Sequence, residues 1–318
     1  MKENLFRPAP LALAIVALFP AMTCSAADVV KELPEVVVRD SLANPVGLEK
    51  KSATASRLGL SVRETPATVT VIDRELLEER GIATTQEALK SVPGITTSSA
   101  PGSPGSVSYR GFSGGSITQL FNGITVQYDA IAARAVDSWI YDRVEAIGGP
   151  STFMFGAGAV GGSINYITKL ANRDGNLSEF KAGYGSYQAT QLAAGGNYKA
   201  GDSNYLRLDV NRNTMDGWSD GTQRQAWQLA ASWLWDLTPA LSHTLAVEYQ
   251  NEKVDNPYWG TPLLRPVSGQ VAIDEKTRFK NYNAYDGLYE QTVRWARSVL
   301  EYKASDSLRL RNTLYHYD

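Results

Sequence analysis

Thiols and imidazoles are nearly missing from this chain, which has one cysteine, Cys24, and two histidines, His243 and His316, in 318 residues. A disulfide scaffold is excluded, and no Cys/His spacing supports a zinc site. Charge of one sign is missing too. Thirty-one Lys+Arg against 33 Asp+Glu leave a formal net charge of −2, so there is no basic field to hold nucleic acid. Beyond the extreme N-terminus no stretch approaches the roughly 18 apolar residues of a spanning helix. No nucleophile–base pair or pair of acids stands at a useful spacing, so no enzyme activity, catalytic residue or metal ligand is expected. What remains is a soluble protein or a membrane β-barrel, whose strands hide in a sequence that looks soluble.

The N-terminus carries an export signal. Lys2 and Arg7 precede a short apolar core, Leu11 to Phe19, followed by the small residues Cys24, Ser25, Ala26 and Ala27. This pattern describes a secretory signal peptide over residues 1–27, cut after Ala27. A lipoprotein would use Cys24, but Met22-Thr23 before it suits that processing poorly.

Two grammars follow. From Val62 to about Lys169 the pattern is mixed. Ala67–Ile72 is rich in β-branched residues and reads as a strand. Asp73 is a good N-cap for a helix over Arg74–Arg80, stopped by Gly81. Thr84 with Glu87 makes a capping box for a second helix, Thr85–Ser91, ended by Pro93-Gly94. Short strands are expected at Ser106–Arg110, Gln119–Phe121 and Arg143–Ile147. The segment from Phe155 to Gly162 holds a literal G-x-G-x-x-G, but a strand-like run, Ser163–Lys169, follows it where a dinucleotide site needs a helix. Its glycines read instead as places where no side chain fits.

After Gly175 residues alternate. Trp227, Leu229, Ala231, Trp233 and Trp235 share one face of a strand; Leu245, Val247 and Tyr249 share another; Leu206, Leu208 and Val210 oppose Arg207, Asp209, Asn211 and Asn213. A soluble sandwich alternates as well. Strand length, about ten to fourteen residues against the 9–11 that cross a bilayer at a tilt, favours a transmembrane barrel. So do Trp and Tyr near strand ends, and connections alternating short (Ala200–Ser203, Leu237–Ala240, Ala304–Asp306) with long (Met215–Gly221, Lys253–Glu290). Seven strands are expected, the last Ser307–Tyr317. An odd number cannot close as a bacterial barrel, so the chain is expected to continue beyond Asp318.

Several motifs carry a family resemblance. Asp142-Arg143-Val144-Glu145, Gly149-Pro150-Ser151, Phe155-Gly156 and Gly161–Lys169 resemble the end of the plug domain of TonB-dependent outer-membrane receptors. Tyr109-Arg110-Gly111-Phe112 and Asn122-Gly123-Ile124 resemble two further plug signatures, and Thr65–Ile72 and Leu89–Ile95 its opening. The resemblance covers roughly residues 33–175, and the barrel segment more loosely. Tyr258–Leu263 and Asn281-Tyr282-Asn283 are most similar to ferric-siderophore receptors.

The resemblance implies a membrane β-barrel, 22-stranded when complete, with an N-terminal α+β plug domain. The domains are then a signal peptide (1–27), a periplasmic coupling segment (28–61), the plug (62–175) and the start of the barrel (176–318). Such a receptor lies in the bacterial outer membrane among its lipids. It binds a ferric siderophore, with iron as cargo and no resident cofactor, and imports it with energy from the TonB–ExbB–ExbD complex. Leu33, Pro34, Glu35, Val36, Val37, Val38 and Arg39 resemble the coupling peptide, able to add as an edge strand to a partner sheet. Ligand contacts are expected from Gln127, Tyr128 and Arg134 of an apical plug loop and from Tyr258 and Trp259 of an external loop. In the family, Arg110 and an arginine at position 148 pair with barrel glutamates and anchor the plug. Here position 148 is glycine, which predicts altered anchoring. Cobalamin or haem is the alternative cargo; a passive porin or a soluble exported binding protein is the alternative class.

Overall fold

The computed structural model describes residues 48–318, apart from 53, 55–59, 99–104, 127–135, 152–154, 156–158 and 259. The expected signal peptide and the segment 33–39 lie outside the described residues. Among these, no helix is long and apolar enough to cross a membrane.

Residues 68–168 form a small α+β body. β1 (Thr68–Asp73) runs into α1 (Arg74–Glu79), whose first turn is closed by the Asp73 carboxylate accepting from Leu76 N at 3.1 Å. α2 (Thr85–Lys90) opens on the capping box that Thr84 and Glu87 spell out, with both reciprocal bonds present. β2 (Ile95–Ser98), β3 (Ser106–Tyr109) and β4 (Phe112–Ser113) make a three-stranded sheet. The central sheet holds β1, β5 (Ile117–Phe121), β6 (Ile124–Val126), β7 (Tyr141–Gly148) and β8 (Gly162–Thr168), in the order β1-β7-β8-β5-β6, with β5 and β8 parallel. Leu77, Leu89, Ile72, Ile140, Val144 and Ile164 fill the space between this sheet and the two helices.

Two signature turns have a common physical origin. Arg110-Gly111 joins β3 to β4 and Asn122-Gly123 joins β5 to β6, each with positive φ at both residues (52° and 83° in each case). These are primed two-residue hairpins, and glycine second in the pair is what they demand. The glycine-rich stretch also answers to packing. A Cβ on Gly161 would lie 2.4 Å from Phe112 Cβ, and one on Gly162 would lie 2.4 Å from the Ile147 carbonyl oxygen. The strand β8, not a helix, follows them.

From Leu177 seven long strands form one antiparallel meander. They are β9 (Leu177–Gly185), β10 (Ala189–Lys199), β11 (Asn204–Asp216), β12 (Gln223–Thr238), β13 (Leu241–Asp255), β14 (Leu288–Lys303) and β15 (Arg309–Tyr317). Their two faces decide the class. Leu208 and Val247 are 48% and 51% exposed, whereas Asp209 and Glu248, one residue on, are 0% and 3% exposed. Leu206, Trp227, Leu229, Trp233, Trp235 and Leu245 join the outward set; Asn211, Arg224, Gln228, Gln250 and Arg297 join the inward one. A water-soluble sandwich would hide the apolar face. This sheet hides the polar one, as a wall between lipid and a filled lumen must, and the sandwich reading is set aside.

The connections alternate as expected. The turns after β10, β12 and β14 are short and lie at one end; at the other end are the segments 217–222 and 256–287. The 186–188 turn, with positive φ at Tyr187 and Gln188, belongs to the latter end and is short. Trp233 and Trp235 stack outside near the short-turn end, at 5.5 Å and 5°, beside Tyr198 and Tyr302.

The outward face generates a test. Val247→Arg places a charge in the middle of the apolar band. It should destabilise the protein in lipid vesicles by about 2–4 kcal/mol in a urea titration. A change within about 0.5 kcal/mol, the range of ordinary surface substitutions, would contradict the lipid-facing assignment.

Candidate functional site

The inward face of the wall is where this molecule concentrates its chemistry, and the α+β body is what it meets. Asp137, just before β7 and 1% exposed, sits over β11 and β12. Its carboxylate accepts from Asn211 Nδ2 (3.2 Å), Asn213 Nδ2 (3.3 Å) and Arg224 Nη1 (3.2 Å), and Gln228 Nε2 donates to its carbonyl at 2.8 Å. Arg224 Nε in turn donates to Glu252 Oε1 at 2.6 Å. Burial pushes the Asp137 carboxyl above the usual carboxylate range, and Arg224 opposes that rise.

A second cluster lies where the body joins the wall. Lys169 Nζ donates to Glu179 Oε2 (3.1 Å) and Asp209 Oδ1 (3.3 Å), and Arg207 bridges the same two carboxylates at 2.6 and 2.7 Å. Lys169 also lies 4.1 Å from the centre of the Trp139 ring, with Arg74 against the same ring at 5.1 Å. Burial holds the Lys169 ammonium below the usual lysine range, with Asp209 pulling it back. In a third cluster, Thr168 Oγ1 donates to Glu248 Oε1 at 3.0 Å and accepts from Arg297 Nη2 at 3.1 Å, and Arg297 pairs with Glu248. Phe121 stacks on Trp295 of the wall at 4.7 Å.

The connector is clasped as well. Asn197 of β10 accepts from Asn172 N (2.9 Å) and donates to the carbonyls of Asn172 (3.1 Å) and Gly175 (2.7 Å). Ala171 N donates to Ser232 Oγ at 2.7 Å, and Arg173 pairs with Asp236. No single residue of these clusters stands out in the sequence. The polar face of Tyr205–Asn213 was visible, but periodicity alone cannot say that the opposing partners are Asp137 and Lys169.

Arg110 does not anchor the body to this part of the wall. Among the described residues no carboxylate pairs with it; Glu179, Glu248 and Glu252 are engaged by Lys169 and Arg207, by Arg297 and by Arg224. Its guanidinium lies 5.9 Å from the Tyr109 ring centre and crosses position 148. A Cβ there would stand 2.7 Å from Tyr109 Oη and 2.9 Å from Arg110 Cζ. Gly148 is therefore the space into which Arg110 and Tyr109 pack.

Of the five expected ligand contacts, Gln127, Tyr128, Arg134 and Trp259 lie outside the described residues. Tyr258 is 7% exposed, its ring edge-on to Trp218 at 4.5 Å and its hydroxyl 2.6 Å from Thr261 Oγ1. It packs between its own loop and the neighbouring 217–222 segment rather than into open space. The Asn281-Tyr282-Asn283 motif has a similar structural use. Asn281 donates to the Asn256 carbonyl (2.7 Å) and to Thr222 Oγ1 (3.1 Å), and Asn283 to the Pro257 carbonyl (2.8 Å). The two asparagines fasten the base of the 256–287 loop to its neighbour.

The Asp137–Arg224 contact is testable. Arg224→Met strands two buried carboxylates, Asp137 with neutral donors only and Glu252 without its guanidinium. It should lower the stability of the protein in detergent by about 3–5 kcal/mol, read by urea titration. Arg224→Met with Asp137→Asn and Glu252→Gln, which removes both stranded charges, should recover most of that loss. A triple variant no better than the single one would show that the charge pairs are not the source.

With this geometry in hand, comparisons with known proteins are informative. Residues 61–163 match the TonB-dependent receptor plug domain family. The chain is 26% identical over 303 residues to the probable TonB-dependent siderophore receptor PiuA of Acinetobacter baumannii, covering 92% of this chain and 39% of that one. It is 27% identical over 265 residues to the ferripyoverdine receptor of Pseudomonas aeruginosa, covering 79% and 31%. The chain thus spans well under half the length of these relatives. Among solved structures, the pyoverdine outer-membrane receptor FpvA of P. aeruginosa superposes with a TM-score of 0.76 at 24% identity, over 86% of this chain and 40% of that one. The ferric-catecholate import receptor Fiu of Escherichia coli K12 superposes with a TM-score of 0.73 at 24% identity, over 85% and 41%. The α+β body has the fold of a plug and the seven strands that of a barrel wall, and over most of its length the chain resembles the TonB-dependent receptors.

Proposed function

We propose that this chain forms the plug and part of the barrel of a bacterial outer-membrane receptor. The receptor binds a ferric siderophore at the cell surface and imports it with energy delivered by the TonB–ExbB–ExbD complex. The observation that carries this reading is a plug domain seated by buried polar contacts on the inward face of a wall whose outward face is apolar. A passive porin has no use for such a domain. The names of the relatives, a probable siderophore receptor and a ferripyoverdine receptor, support the cargo class.

In this reading Gln127, Tyr128 and Arg134 of the plug loop and Trp259 of the external loop contact the chelate. Tyr258 holds the backbone that presents Trp259. Arg110 packs the plug apex, while residues 33–39 engage the energy-coupling partner after the signal peptide is removed. A ferric siderophore is compact, oxygen-rich and often anionic, which suits an arginine flanked by aromatic and amide groups.

Two measurements test the reading. Val37→Pro removes a backbone donor and blocks strand addition. Surface binding of the ferric chelate should persist while uptake stops, and continued uptake would refute the coupling role. For the cargo, the full-length receptor is screened against ferric hydroxamates, catecholates and citrate, with haem and cobalamin as controls. Arg134→Ala should weaken an anionic ferric chelate by about 1.5–3 kcal/mol, the range of a hydrogen bond to a charged group, and leave a neutral one nearly unchanged. Binding of haem or cobalamin alone would overturn the siderophore assignment.

A further inference from the structure

One side chain in the plug serves three segments at once. Asn165, 3% exposed, stands in β8 between Glu145 of β7 and Leu120 of β5. Its Nδ2 donates to Thr54 Oγ1 at 2.8 Å, and its Oδ1 accepts from Gly123 N at 3.0 Å. Thr54 belongs to the lead-in that enters the plug from the N-terminal side. That lead-in is seated further by Glu145, which is fully buried and accepts from Ser52 Oγ at 2.7 Å and Thr54 N at 3.1 Å. Arg143 Nε donates to the other Glu145 oxygen at 2.6 Å, and Lys50 pairs with Asp73 at the end of β1. On the far side of Gly123, Asn122 Oδ1 accepts from Thr168 N at 3.0 Å, and Thr168 reaches Glu248 on the wall. A continuous polar path therefore runs from the lead-in through Asn165 and the Asn122-Gly123 turn to the barrel.

The chemistry of an amide makes this path mechanical. Nδ2 and Oδ1 of Asn165 are the two ends of one rigid plane, so the side chain cannot follow Thr54 with its nitrogen without withdrawing its oxygen from Gly123. A buried amide left half-paired is unfavourable, which ties the two bonds to one another. The turn at stake needs positive φ at both residues, 52° at Asn122 and 83° at Gly123, a conformation few other residue pairs hold. The strand it launches, β6, has three residues and pairs with β5 alone in the sheet order, so it leans on that turn. β6 leads directly into 127–135.

We propose that Asn165 is a positioning residue coupling the lead-in 50–54 to the Asn122-Gly123 turn. Drawing the lead-in away loosens the turn, then β6. The inference rests on the function proposed above, in which residues 33–39, upstream of the lead-in, receive the energy-coupling partner.

Hydrogen exchange on the full-length receptor in detergent, with no chelate added, tests it. Thr54→Val removes one hydroxyl at nearly constant volume. Exchange should quicken about three- to tenfold, the range expected for one lost hydrogen bond, in residues 50–54 and also in 121–126. Strand β13 should be unchanged. A rise confined to 50–54, or no rise in either segment, overturns the proposal. Asn165→Leu removes both bonds and should loosen both segments at least as much, and an unchanged 121–126 in this variant would overturn the role of Asn165. Because no chelate is used, failure here leaves the siderophore reading intact, and the chelate panel decides that reading separately.

Discussion

Buried hydrogen-bonding groups on the inward face of the wall impose the constraint to which the rest of the structure answers. A sheet that turns Leu208, Val247 and Trp233 outward must turn Asp209, Glu248 and Arg224 inward, because side chains alternate along a strand. Each inward group loses water and needs a partner. The plug supplies those partners through Asp137, Thr168 and Lys169, and the wall supplies the rest among its own residues, as with Arg207 and Asp209. Plug and wall thus share one polar core, with an apolar seam in it where Phe121 stacks on Trp295. Polar seams of this kind exchange partners more readily than a jigsaw of hydrocarbon, because a displaced donor can find water or a neighbouring carboxylate.

The plug motifs acquire plain physical reasons. Arg-Gly and Asn-Gly are hairpin turns that need positive φ. Gly148, Gly161 and Gly162 are contact surfaces on which Tyr109, Arg110, Phe112 and the Ile147 carbonyl rest. Arg143-Val144-Glu145 places an apolar side chain into the core between two charged ones that grip each other, with Glu145 also holding the lead-in.

Much of this was legible in the sequence, and the boundary is instructive. Asp73, Thr84 and Glu87 announced both helices because capping is local chemistry. The helices end at Glu79 and Lys90, each a residue or so short of the reading, where the last turn is satisfied by cap bonds instead. Alternation announced the long strands and their number. It left open which face was wet, since that depends on what fills the lumen. β2, β4 and β6 went unread: segments of two to four residues carry too little periodicity, and they exist because hairpin partners hold them. Arg110 was legible as a motif, but where its guanidinium lies depends on the glycine at 148, which no periodicity reports.

The clasp around Asn197 has a mechanical corollary. The plug leaves for the barrel through residues 171–176, and that exit is bolted to β10 and β12 by Asn197, Ser232 and Asp236. A load applied at the lead-in meets polar contacts at Asp137, Thr168 and Lys169 that can release, whereas the covalent exit cannot, and a load offset from a fixed corner produces torque. Once those contacts let go, the plug would be a hinged leaf, with β10–β12 as its jamb.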